Sequence, residues 1–164
     1  MDEVDRILQA SARETPDLDV SPLRVLSRVS RLARHLDLER RDVFAIHSLD
    51  TWEFDVLAAL RREGPPYELS PGQLIQQTLS TSGTMTNRID RLAARGLVER
   101  LPDPRDRRGV RVRLLTPGRE LVEAALADLL EREQHILDGL SVEERDQIAA
   151  LLRRLVLPFE ADPA

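Results

Sequence analysis

Apolar residues recur along this chain with two different periods, and the change from one to the other divides it. After Ser21-Pro22, the residues Val25, Leu26, Val29, Leu32, Ala33 and Leu36 stand three and four apart, the spacing that lines one face of an α-helix. Pro22 suits the first turn of that helix, where its missing N–H costs nothing. A shorter helix is predicted ahead of it, over about Asp2–Arg13, stopping before Pro16-Asp17. Asp50-Thr51-Trp52-Glu53 has the form of a capping box, whose two acidic side chains satisfy free N–H groups. It opens a helix bearing Phe54, Leu57 and Leu60 that ends at Gly64-Pro65-Pro66. Ser70-Pro71-Gly72-Gln73 repeats the device ahead of Leu74, Ile75 and Leu79. After the polar turn Ser80-Thr81-Ser82-Gly83, Met85, Ile89 and Leu92 mark a further helix. Gly96 is placed to cap its end in the left-handed conformation.

The period then falls to two. Leu97–Leu101 reads as a strand, and Val110-Arg111-Val112-Arg113-Leu114 alternates apolar with charged positions. Between them, Pro102–Gly109 is a charged loop too polar for a core. Thr116-Pro117 opens a long helix to about Leu140, and Ser141-Val142-Glu143-Glu144 caps a last one bearing Ile148, Leu151, Leu152, Leu155 and Phe159. This order predicts a mainly α fold with a small β-hairpin wing. A winged helix-turn-helix domain would cover 48–116. Helices over 1–47 and those over 117–164 would serve dimerisation. The flanking helices carry more apolar face than a small core can cover, so a homodimer is expected.

Composition narrows the function. The chain has 164 residues, 41% hydrophobic and 32% charged, and no cysteine; disulfides and thiolate metal sites are therefore excluded. An acidic N-terminus and the lack of any long apolar run argue against a signal peptide and a membrane span, and point to the cytoplasm. The net charge is −5, yet residues 81–115 carry 9 Arg against 4 acids, a net of +5. A basic segment between acidic flanks confines polyanion binding to one surface. His35, His47 and His135 stand singly, without metal-ligand spacing, and there is neither a nucleophile elbow nor a Gly-rich phosphate loop. An enzyme is not expected, nor a cofactor.

The basic segment has two parts. The helix at Ser82–Arg95 turns Thr84, Asn87, Arg88, Arg91 and Arg95 away from its apolar stripe and begins with small residues, which suits entry into a major groove about 12 Å wide. Hydroxyls of Ser80, Ser82, Thr84 and Thr86 can bond phosphates or base edges, Asn87 can pair with adenine, and Arg88 with guanine. Plain N-capping is the alternative role for Ser80 and Ser82. The hairpin places Arg105, Arg107 and Arg108 within four residues, suited to a narrow minor groove, with Asp103 and Asp106 holding neighbouring arginines in place. A solvated turn, or a wing that meets an acidic protein, is the alternative.

Taken in order, several stretches make the chain resemble the MarR family of bacterial transcription factors. They are Glu53–Leu57, Ser82–Leu92, Gly96–Arg100, Asp103-Pro104-Arg105-Asp106-Arg107-Arg108-Gly109 and Leu115-Thr116-Pro117-Gly118. The resemblance implies a triangular homodimer that binds a near-palindromic duplex through Ser82–Arg88 and the wing, and that a small ligand releases. The segment from Val4 to Pro22 is similar to the urate-responsive branch, which carries an extra first helix. In that branch a Trp, an Asp and two Arg form the ligand pocket, and the resemblance implies that the helices over 1–47 also cover it. Asp55, Arg88 and Arg100 fit three of these roles, while Ser11 stands at the Trp position. Loss of the stacking ring disfavours a purine and leaves a small anion such as a carboxylate. A structural salt bridge of Asp55 with Arg88 is the competing reading.

Overall fold

The computed structural model describes residues 1–78, 81–104 and 106–160, with only the backbone given at Arg107 and Arg108. Ser80 and Arg105, both candidate DNA contacts, lie outside the described residues.

Ten elements follow one another: α1 (Glu3–Glu14), α2 (Leu23–Ile46), α3 (Thr51–Arg62), β1 (Glu68–Leu69), α4 (Pro71–Thr78), α5 (Ser82–Ala94), β2 (Val98–Asp103), β3 (Asp106–Leu114), α6 (Thr116–Ile136) and α7 (Val142–Glu160). The fold is mainly α with one small sheet. Residues 1–125 form one compact unit and 126–164 a second, with α6 continuous from the first into the second.

Three capping boxes close as their sequences predict. Asp50 N–H donates to Glu53 at 2.9 Å, Ser70 N–H to Gln73 at 2.9 Å, and Ser141 N–H to Glu144 at 2.8 Å. Gly96 ends α5 with φ of 68°, a conformation that disfavours any side chain. Its N–H and that of Leu97 donate back into α5, to Ala93 and Leu92, turning the chain into β2.

In the first unit the core gathers around α3, where Val56, Leu57, Ala59 and Leu60 are fully buried. Phe44, from the last turns of α2, stacks on Phe54 with centroids 4.1 Å apart. Leu69, Leu74, Met85, Ile89, Leu92 and Val112 complete it from the sheet and the helix-turn-helix.

The sheet departs from expectation in two ways. The strands reach Asp103 and resume at Asp106, so most of the charged stretch predicted to be a loop belongs to the two strands. A shift in register between Pro102 and Asp103 lets the hairpin close, and Gly109 has no Cβ to meet that of Asp103, which would stand 2.8 Å away. Secondly, β1 adds a third strand to make the order β1-β3-β2, all antiparallel. Two residues are too few to show a period.

α1 lies on α2 with Val4 buried. Arg28, outside the apolar stripe of α2, clasps α1. Its Nε donates to Asp2 at 2.9 Å and its Nη2 to Asp5 at 2.6 Å. Backbone N–H bonds within the α1 cap, aided by Arg28, hold both carboxyls below the ordinary aspartate value of 3.8. The ionised pair therefore supports docking above that value, and the support is lost as pH falls through the lower native pKa. α1 amides should be protected at neutral pH, and their hydrogen-exchange protection factors, which discount the intrinsic pH dependence of exchange, should fall below about pH 3.8. Arg28→Ala should lower them at neutral pH while leaving α3 unchanged; equal rates in the variant would refute the clasp.

Candidate nucleic-acid interface

α5 buries Met85, Ile89 and Leu92 completely. That anchoring fixes which residues face outward: Ser82, Gly83, Thr84, Thr86 and Asn87 are all exposed. A Cβ added at Gly83 would meet nothing within 4 Å. The residue at the N-cap is Thr81, and Ser82 is the first helical residue, so capping is not the role of Ser82. The Thr81 hydroxyl pairs with that of Thr84 at 2.8 Å and makes no bond to a helix N–H. The first turn thus presents small polar groups and a helix N-terminus together, an arrangement favourable to phosphate.

The two flanks of α5 are held differently. Arg88, Arg91 and Arg95, three and four residues apart, all reach toward the corner between α2 and α3. Arg88 and Arg91 lie over the Trp52 ring at 5.3 and 4.8 Å from its centroid. Arg91 also approaches Asp50 at 3.6 Å. Arg95 pairs with Glu53 at 2.8 Å and donates to the Ser48 carbonyl at 3.0 Å. On the opposite flank, Arg100 of β2 pairs with Asp90 at 2.7 Å and donates to the Thr86 carbonyl at 3.2 Å.

The wing stands on a charged root. Arg113 Nε donates to Glu68 of β1 at 2.7 Å and its Nη1 to Glu99 of β2 at 3.3 Å. Arg111 reaches the Glu68 carbonyl at 3.3 Å and Gln73 of α4 at 3.4 Å. These arginines belong to the root. At the other end, Asp106 is exposed and the backbone of Arg107 and Arg108 continues β3.

Beside the flank held by Trp52 lies an open cleft of about 630 Å³, lined in part by Arg41, Trp52, Asp55, Thr78 and Arg88. It brings together two of the four candidate ligand residues. The Asp55 carboxylate accepts from Arg40 at 3.0 Å. Burial pushes the Asp55 carboxyl up, against the opposing pull of Arg40 and Arg88. Arg100 and Ser11 do not line this cleft. Arg100 emerges on the other flank of α5, and Ser11 sits on α1, where its carbonyl accepts from the Thr15 hydroxyl at 2.7 Å. A second hollow of about 480 Å³, lined by Glu53, Arg91 and Arg95 among others, adjoins it.

Sequence reasoning passed over Trp52, Arg40 and the Glu53–Arg95 pair. The available signals were a single Trp just inside a helix cap and an Arg stripe at 88, 91 and 95 with no stated partner. Among the described residues there is no group of His, Cys, Asp or Glu able to hold a metal, and no helix is long and apolar enough to cross a membrane.

Comparison with known proteins places this geometry. A family model described as MarR family matches residues 47–109. The HTH-type transcriptional regulator PecS of Dickeya dadantii is 39% identical over 153 residues, 93% of this chain and 92% of the relative. A mutant MarR from E. coli, solved in complex with operator DNA, superposes with a TM-score of 0.69 at 26% identity, covering 85% of this chain and 99% of that one. Bordetella bronchiseptica BpsR, whose DNA binding is described as regulated by 6-hydroxynicotinic acid, superposes at 0.66 with 32% identity, covering 80% and 91%.

Proposed function

The chain belongs to the MarR family of DNA-binding transcriptional regulators and is not an enzyme, and we propose that it acts in the cytoplasm as a homodimeric repressor that a small anionic ligand releases from a near-palindromic operator. One observation carries the DNA reading. The outward face of α5 is polar, unobstructed and exposed, while its inner face is completely buried. Ser82, Gly83, Thr84, Thr86 and Asn87 enter the major groove, with Ser80 at its edge. Arg91 contacts a phosphate from the flank of α5, and Arg88 sits between groove and cleft. Asp106 and the arginines at 105, 107 and 108 follow the backbone beside the wing.

The division of labour is that of three segments: 48–116 reads DNA, while 1–47 and 117–164 hold the dimer. Its support is apolar surface that a lone chain leaves uncovered. Leu26 and Leu32 on α2 are 54% and 48% exposed, and none of the residues of α7 is buried. α1 is the extra first helix of the urate-responsive branch. Asp55 and Arg88 bind the effector in the 630 Å³ cleft, with Ser11 and Arg100 completing the site on rearrangement or from the second copy. The ligand is a small carboxylate and no cofactor takes part.

Binding to genomic operator fragments should weaken steeply with salt, each neutralised phosphate adding a slope of about 0.9 in log–log terms. Asn87→Ala should relax preference at one base pair, costing roughly 1–3 kcal/mol there, whereas Arg107→Ala should weaken all duplexes alike and lower the slope. Anisotropy titrations against matched and single-mismatch duplexes separate the two. A salt-insensitive complex, or none, refutes the DNA reading. Addition of 6-hydroxynicotinic acid or benzoate tests the anion arm, and undiminished binding with both counts against it.

A further inference from the structure

We propose that Trp52 is a positioning residue for DNA recognition: its ring seats Arg88 and Arg91 and so sets the rotation of α5 that aims Asn87 outward. The inference rests on the DNA reading above and adds a residue to it.

Trp52 follows the N-cap of α3 and is only partly buried, so it is not part of the core. Its own orientation is held, since the indole Nε1–H donates to Asp50 at 3.1 Å. A fixed indole face is the strongest aromatic seat for a cation, and two guanidinium groups occupy it, at 5.3 and 4.8 Å. Arg88 and Arg91 are one turn apart on a single flank of α5. Holding both restrains a helix from rolling about its axis, which one contact cannot do. The buried stripe Met85, Ile89 and Leu92 sets the depth of α5, but apolar packing tolerates a small roll. A roll of one residue, 100° in an α-helix, would exchange Asn87 for a neighbour at the outer face; even a fraction of that would spoil a bidentate contact.

The position of the ring also joins recognition to the cleft. Trp52, Asp55 and Arg88 line the same space. An anion bound there draws Arg88 from the ring toward itself, loosening the restraint on α5. Release of DNA then needs no large movement.

The test uses the full chain with Trp52→Phe, Trp52→Leu and Trp52→Ala. Leu keeps apolar bulk without a π face, and Phe keeps a weaker π face. For a labelled operator duplex, Leu and Ala should weaken binding roughly five- to thirtyfold, the range set by two partly exposed cation–π contacts, and Phe should recover most of the loss. Affinity for a scrambled duplex should change less than threefold by the same reasoning, and thermal midpoints should stay within a few degrees. Equal binding by the Leu and Phe variants overturns the seat, as does a loss shared by operator and scrambled duplex with a large fall in melting temperature. A second readout needs no DNA. Trp52 is the only tryptophan, so Arg88→Ala and Arg91→Ala should each change its emission, and unchanged emission in both overturns the proposal. If wild-type protein binds no duplex while the emission responds, the DNA reading fails and the seat stands.

Discussion

Gly118→Ala should lower the thermal midpoint by roughly 4–8 °C, although Ala in place of Gly normally stabilises a helix by about 0.5–1 kcal/mol. Gly118 lies in the first turn of α6, where the chain leaves the sheet. A Cβ there would collide with the Leu97 carbonyl oxygen and approach Leu114 Cδ1 to 2.8 Å. The oxygen cannot step aside, because it accepts the N–H of Leu115 at 3.0 Å. Overpacking against backbone costs about 3 kcal/mol, at the upper end of its usual range. Net of the helix gain, about 2 kcal/mol remains, and each kcal/mol lowers the midpoint by about 2–4 °C at this size. Calorimetry should be run beside Gly83→Ala, whose new methyl meets nothing within 4 Å. That control should melt at or above the wild-type temperature. A stabilised Gly118→Ala would mean that α6 does not sit against the Leu97 carbonyl.

Arg95→Ala should be the second large loss. Glu53 is 3% exposed and is the one buried charged residue among the described residues. Its Oε2 accepts the Asp50 N–H at 2.9 Å and pairs with Arg95 at 2.8 Å. Removing Arg95 leaves a buried carboxylate with only the cap N–H. Stranding one partner of a fully buried pair costs about 3–5 kcal/mol. Arg95 is about one-third exposed, so water enters once its side chain is gone, and roughly 2 kcal/mol is expected after that discount. Denaturant titration should show the shift. Glu53→Gln in the Arg95→Ala background should recover part of it, because the amide oxygen still accepts the Asp50 N–H and no charge is stranded. Additive effects of the two changes would show that the pair is uncoupled. Since Arg95 also holds the C-terminal end of α5 to the Ser48 carbonyl, operator affinity should fall with stability.

Both sites show where sequence reasoning stops. Gly118 was visible as part of Leu115-Thr116-Pro117-Gly118, but nothing local explains why that position tolerates no methyl. The obstruction comes from Leu97, twenty-one residues away. Glu53 was legible as a capping residue because the capping box is local, spanning four residues. That its carboxylate is buried and needs a cation from the far end of another helix is a non-local fact. The candidate ligand set divides for the same reason. Asp55 and Arg88 share a cleft, whereas Arg100 meets Asp90 across the other flank of α5.

By itself the sequence determined the order and kind of the elements, the outward polar face of α5 and the basic segment between acidic ends. Each is written in short-range terms: a period of three to four or of two, a cap residue at fixed spacing, a local excess of Arg. Tertiary structure alone decided which charges find one another and which side of α5 each arginine serves. It paired Arg28 with α1, Arg95 with Glu53 and Arg113 with Glu68, and laid Arg88 and Arg91 on Trp52. A long flexible cation reaches several partners from one backbone position, so only the packing of the surrounding helices and strands selects among them.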